Sequence, residues 1–176
     1  IGGFADKYSD QVKSLSFIAP AGFGKVQTSI PFFMKIPGVI EWAMHVLADR
    51  FYGSAISSET AHSNDPLSIN EEEFQQLFSF QMQFKGFRES LASTMRNFNL
   101  FDAREMFEKV AAKNIPSIAI WGDNDGIVSY KGAETYSEIF HEGKVITIED
   151  GTHDITYRQP SDVLEAIKIF LASQIF

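Results

Sequence analysis

Three short apolar segments, each followed by a turn, constrain the fold of this chain most. They span residues 12–19, 117–121 and 145–148. Apolar runs of this length, bounded by Gly, Pro or Asp, are typical of buried strands. Helix-compatible sequence lies between the second and third segments and again after the third, from Pro160 onward. Strands that alternate with helices form parallel sheets with helices on their faces, so the sequence predicts an α/β fold.

A long segment of different character separates the first strand from the other two. Residues 28–107 are rich in aromatic and aliphatic side chains and contain no clear strand. Asn70 and Glu73 form a capping-box pattern, which predicts a helix from about residue 70. Apolar residues then follow at helical spacing, namely Phe80, Phe84, Phe87, Leu91 and Met95. We therefore expect sheet segments at 1–27 and 108–176, with a helical insertion between them.

Composition excludes several classes of function. The 176 residues carry a net charge of −8 with no Lys/Arg cluster, so nucleic acid is not an expected partner. The absence of cysteine excludes disulfides, Cys-based metal sites and thiol catalysis, but leaves both cytosol and secretion open. No apolar run reaches 18 residues, so no transmembrane segment is predicted. The 17 phenylalanines exceed the needs of a minimal core and indicate an apolar surface or pocket.

Titratable residues follow the second and third strands. Asp123 and Asp125 come after the second strand, and His153 comes after the third. Active sites of open parallel sheets gather at the carboxyl ends of the strands. We expect the Asp125 carboxylate to lie within about 3.2 Å of a ring nitrogen of His153, with Asp123 as the alternative acid. The competing interpretation is that these are ordinary turn and surface-loop residues.

These segments resemble motifs of the α/β-hydrolase superfamily. Ile-Trp-Gly-Asp-Asn-Asp-Gly-Ile-Val at 120–128 resembles its acid loop and assigns Asp125 as the triad acid. Glu-Asp-Gly-Thr-His at 149–153 resembles its histidine loop and assigns His153. Ile1-Gly2-Gly3 resembles the end of the nucleophile elbow G-x-S-x-G-G, whose Ser and first Gly are not in this sequence. The resemblance covers 1–25 and 108–176, and the insertion stands where family members carry a cap.

The resemblance implies hydrolysis of a carboxylic ester through an acyl-enzyme. Its nucleophile would be a Ser just upstream of Ile1, and the Ile1 N–H would be one donor of the oxyanion hole. No cofactor is implied, and no pair of histidines has the spacing of metal ligands. The expected partner is the N-terminal half of the same protein or a companion chain that carries it.

The insertion supplies candidates for a substrate pocket. Aromatic residues there are expected either to pack the core of a cap or to line an apolar cavity above His153, and the leading candidates are Phe32, Phe33, Trp42 and Phe51. The expected substrate is therefore a small ester with an apolar, lipid-like acyl or alcohol part.

Two alternative functions remain open from the sequence. The same fold with an Asp nucleophile acts on epoxides or haloalkanes. The identity of the nucleophile distinguishes this hypothesis from the ester hydrolase. The fold can also serve as a ligand-binding protein with little turnover.

Overall fold

The computed structural model describes residues 1–24, 36, 38–43, 46, 64–97 and 102–174. Within this part of the chain, three parallel strands form one sheet in the order β1-β2-β3. The strands are β1 (Leu15–Ile18), β2 (Ser117–Gly122) and β3 (Lys144–Ile148). The helices are α1 (Gly2–Lys7), a 3₁₀ turn (Ser9–Gln11), α2 (Glu71–Gln81), α3 (Phe87–Asn97), α4 (Arg104–Ala111), α5 (Gly132–Ile139), α6 (Ile155–Arg158) and α7 (Pro160–Ser173). The predicted α/β class with a parallel sheet is confirmed.

Strand β2 is the centre of the sheet and is buried at every position. Such strands read as continuous apolar runs because helices cover both faces of a parallel sheet. Side chains alternate between the faces, so Ala119 and Trp121 enter one core cluster while Ile118 and Ile120 enter the other. The Ser-Ile-Ala-Ile-Trp segment was predictable as a strand for this reason.

Aromatic rings fill the core on the Trp121 face. Phe23 and Phe107 stack with their ring centroids 4.0 Å apart, and Phe17 meets both rings edge-on. Tyr136 is fully buried in the same cluster, and its hydroxyl lies 2.7 Å from Ser117 Oγ. Burial raises the pKa of Tyr136 to about 12, although the Ser117 contact acts in the opposite direction. Part of the high phenylalanine content therefore packs this core.

The chain divides into two compact units. The first comprises 1–27, 63–68 and 101–176, and the second comprises 28–62 and 69–100. Helix α4 buries Phe107 and Val110 in the core of the first unit, and the extent of a cap at 28–107 stays a prediction.

A short segment, 63–68, belongs to the first unit, and Asp65 in this segment binds another part of that unit. Its carboxylate accepts hydrogen bonds from Ser161 N at 2.7 Å and from Ser161 Oγ at 2.8 Å, at the start of helix α7. Partial burial opposes ionisation, yet hydrogen bonds from the Leu67 and Ser161 N–H groups hold the pKa of Asp65 below its ordinary value. Asp65 thus supplies a cap for a helix far along the chain.

The second unit contains helices α2 and α3. The capping box predicted at Asn70 is present, with Asn70 Oδ1 accepting from Glu73 N and Glu73 Oε2 accepting from Asn70 N. The apolar run that continued at helical spacing is divided, because helix α2 ends at Gln81 and helix α3 begins at Phe87. Gly86 adopts a left-handed φ of +86° immediately before α3, and glycine adopts this conformation at little cost.

We predict that Phe23→Ala lowers the free energy of unfolding by about 3–5 kcal/mol, because it removes a buried ring from the aromatic cluster. Equilibrium urea unfolding measures the change. Phe4→Ala is the matched control, since the Phe4 ring is more than half exposed. Equal losses for the two variants would contradict this description of the core.

Candidate active site

The carboxyl ends of β2 and β3 lie side by side and carry the two loops of interest. Gly122 pairs with Ile148 at the last position of the ladder, so the acid loop (123–128) and the histidine loop (149–154) begin at the same level. A Cβ atom added to Gly122 would lie 2.1 Å from the Gly151 carbonyl oxygen. The two backbones can therefore approach this closely only because glycine stands there.

Backbone hydrogen bonds join the two loops. Asn124 N donates to Gly151 O at 2.9 Å, and Asp123 N donates to Ile148 O at 3.2 Å. Asp150, in the histidine loop, adopts a left-handed φ of +53°. Asp and Asn tolerate this conformation better than other non-glycine residues. The two loops thus form one connected structure at the edge of the sheet.

Asp125 is held rigidly by its own loop. Its Oδ1 atom accepts hydrogen bonds from Ile127 N at 2.9 Å and from Val128 N at 2.7 Å. Its side chain is fully buried. The Trp121 indole N–H donates to Val128 O at 3.0 Å, which fixes the end of the same loop on the core. One carboxylate oxygen therefore orients the side chain, and the other points out of the loop.

That second oxygen meets His153. Asp125 Oδ2 lies 2.9 Å from His153 Nδ1, so the contact expected between these side chains is present. An ionised carboxylate can only accept a hydrogen bond, so this contact favours the tautomer with the proton on Nδ1 and the lone pair on Nε2. The imidazole remains about one-third exposed. The pair can thus present a basic nitrogen at the strand ends.

The carboxylate of Asp154, the residue after His153, binds both Thr152 and Arg158. Asp154 Oδ2 accepts from Arg158 Nε at 3.0 Å, and Asp154 Oδ1 accepts from the Thr152 hydroxyl. Arg158 is only 9% exposed. The sequence analysis missed this network, although the spacing of four between Asp154 and Arg158 is the spacing at which oppositely charged side chains meet on a helix.

The other residues singled out from the sequence are placed as follows. Asp123, the alternative acid, is exposed, and the contact with His153 is made by Asp125. Ile1 is exposed and precedes helix α1, where its carbonyl accepts from Phe4 N and Ala5 N. Trp42 lies in a helical stretch of the second unit and is 61% exposed, and its role in a pocket stays a prediction. Three pocket candidates lie outside the described residues: Phe32, Phe33 and Phe51.

The residues that the structure describes contain neither a cluster of metal ligands nor a membrane-spanning helix. Among those residues, no group of three or more His, Cys, Asp or Glu side chains is arranged to hold a metal ion. None of the helices described has both the length and the apolar character needed to cross a membrane.

Comparison with known proteins identifies the fold. No protein-family model matches the chain. Lipase 3 of Moraxella sp. (strain TA144) is 25% identical over 184 residues, which is 95% of this chain and 50% of the lipase. The chain therefore spans half the length of this curated relative.

Solved structures are similar over nearly the whole chain. An esterase from Thermogutta terrifontis superposes with a TM-score of 0.66 at 17% identity, covering 98% of this chain and 60% of the esterase. A bromoperoxidase from Bacillus anthracis gives a TM-score of 0.63 at 19% identity, covering 97% of this chain and 64% of that protein. The chain has the α/β-hydrolase fold, as the sequence motifs predicted.

We predict that Gly122→Ala destabilises the protein by about 1–3 kcal/mol, because the added methyl group would force the two loops apart. Urea unfolding measures the loss. Gly3→Ala is the control, because a Cβ at Gly3 meets no atom within 4 Å. If Gly122→Ala is as stable as Gly3→Ala, the close contact between the loops does not exist.

Proposed function

We propose that the intact protein hydrolyses carboxylic esters through an acyl-enzyme, with His153 as general base and acid and Asp125 as its orienting carboxylate. The observation that carries the proposal is that the two carboxylate oxygens of Asp125 have different partners. One oxygen is fixed by two backbone N–H groups, and the other accepts from His153 Nδ1. A triad acid has to hold the imidazole in one tautomer and one orientation, and this arrangement is suited to that task.

The chemistry follows from that tautomer. His153 Nε2 would take the proton of the attacking hydroxyl as the ester carbonyl is attacked, and the resulting imidazolium would be stabilised by Asp125. The same nitrogen would then return the proton to the leaving alcohol. In the second half-reaction His153 would activate water, which releases the acid and regenerates the hydroxyl.

We further propose that the nucleophile is a Ser directly before Ile1 and that the Ile1 N–H is one oxyanion donor. This rests on the register of Ile1-Gly2-Gly3 in the elbow pattern. The earlier strands and the second oxyanion donor would come from the remaining half of the protein or from a companion chain.

An apolar ester is the proposed substrate class. The relatives include a protein named as a lipase and another named as an esterase. The aromatic candidates Phe32, Phe33, Trp42 and Phe51 would provide the apolar contact with an acyl or alcohol chain. The proposed chemistry needs no cofactor.

A fluorophosphonate ester tests the proposed nucleophile directly. We expect stoichiometric labelling of the intact protein, with peptide mass spectrometry placing the phosphonyl group on a Ser immediately before Ile1. Labelling at another position would refute the assignment of the nucleophile. Absence of labelling, combined with ¹⁸O transfer from labelled water into an Asp side chain during turnover of an epoxide or haloalkane, would establish the Asp-nucleophile alternative. Ligand binding without labelling or turnover would indicate a binding protein.

We expect Asp125→Asn to lower kcat of the intact enzyme by about 10³- to 10⁴-fold, because an amide favours the wrong imidazole tautomer and cannot stabilise the imidazolium. Ester hydrolysis under substrate saturation measures kcat. Asp123→Asn is the matched control in the same loop, and it should stay within about threefold of the parent enzyme because the Asp123 side chain is exposed. Similar losses in both variants would show that Asp125 has no special role.

A further inference from the structure

We propose that Arg158 is a positioning residue for His153, acting through the carboxylate of Asp154. This inference rests on the proposed function, since it assigns a task within the same site. Arg158 binds the carboxylate of Asp154, the residue that follows His153, through its Nε atom. Its effect would be transmitted through the backbone of residues 152–154, which carries the histidine.

The geometry of the loop supports this assignment. Thr152 and Asp154 flank His153, and the Thr152 hydroxyl donates to Asp154 Oδ1. The other oxygen of Asp154 accepts from Arg158 Nε at 3.0 Å. The residues on both sides of the histidine are therefore fixed to one carboxylate, which is itself fixed to the start of the C-terminal helical region. A histidine held in this way cannot rotate its backbone without breaking at least one of these bonds.

Because this ion pair is nearly buried, the loss of one partner costs more than the loss of one partner of an exposed pair. The Arg158 side chain is 10% exposed and the Asp154 side chain 19%, whereas the Lys109–Glu105 pair with the same spacing is 57% and 86% exposed. Exposed pairs contribute little, but removing one partner of a nearly buried pair leaves an uncompensated charge away from water. Gln159 Nε2 also donates a hydrogen bond to Glu149 O, at the first residue of the histidine loop.

The test compares Arg158→Met with Arg158→Lys in the intact protein. We expect Arg158→Met to lower kcat by about 10- to 100-fold with KM within about twofold, since a displacement near 1 Å at the reacting groups has this effect. Arg158→Lys, which keeps a cation able to reach Asp154, should recover most of kcat. Arg104→Met, which breaks a different arginine–carboxylate pair, the one between Arg104 on helix α4 and Glu138 on helix α5, is the control and should leave kcat unchanged.

Proton NMR supplies a readout that does not depend on activity. The deshielded His153 Nδ1–H resonance, assigned by its loss in His153→Gln, reports the hydrogen bond to Asp125. It should broaden or disappear in Arg158→Met and persist in Arg158→Lys. If the resonance behaves so in a protein that neither hydrolyses esters nor reacts with the phosphonate, the proposed function fails while the positioning role stands.

Two results would overturn the positioning role. One is an unchanged kcat and an unchanged resonance in Arg158→Met. The other is a lower melting temperature with the same kcat, which would make the ion pair merely structural. Should Arg158→Met not fold, Thr152→Val decides the matter, since it removes the other hydrogen bond of Asp154 without leaving a charge. A roughly threefold or larger fall in kcat at constant KM would support the role, and an unchanged kcat would refute it.

Discussion

The approach of the two backbones at Gly122 and Gly151 is the constraint on which the rest of the site depends. The parallel pairing of β2 with β3 brings both loops to one edge, but pairing alone leaves them a strand spacing apart. The absence of a Cβ at Gly122 lets the Gly151 carbonyl cross that gap and accept from Asn124 N. Because both loops then share hydrogen bonds, the carboxylate on one and the imidazole on the other keep a fixed separation.

The site combines a buried, fixed carboxylate with a partly exposed imidazole. Asp125 is fully buried and bound to its own loop, whereas His153 keeps about one-third of its side chain exposed. A buried carboxylate with satisfied oxygens interacts strongly with an adjacent imidazole, because little water screens the pair. Asp154, the residue after the histidine, accepts a hydrogen bond from Arg158 Nε. The arrangement therefore suits a base whose position is set in advance of the reaction.

Short apolar runs predicted the three strands, a residue pattern predicted the capping box at Asn70, and strand order together with the family resemblance predicted the contact between Asp125 and His153. Features that depend on the folded chain were missed. Asp65 caps helix α7 from 96 residues away, and no local signal marks it. The burial of Phe107 and Val110 in the first unit was not predicted, because the apolar stripe of helix α4 does not show which unit it packs against. The end of helix α2 at Gln81 was missed because it falls inside an apolar pattern of helical period.

The most direct test of the account is a crystal structure of the intact protein after reaction with a phosphonate ester. The account predicts a phosphonylated Ser Oγ immediately before Ile1, within about 3.5 Å of His153 Nε2, together with the Asp125–His153 contact seen here at 2.9 Å. A modified residue elsewhere, or a His153 that turns away from both groups, would contradict it.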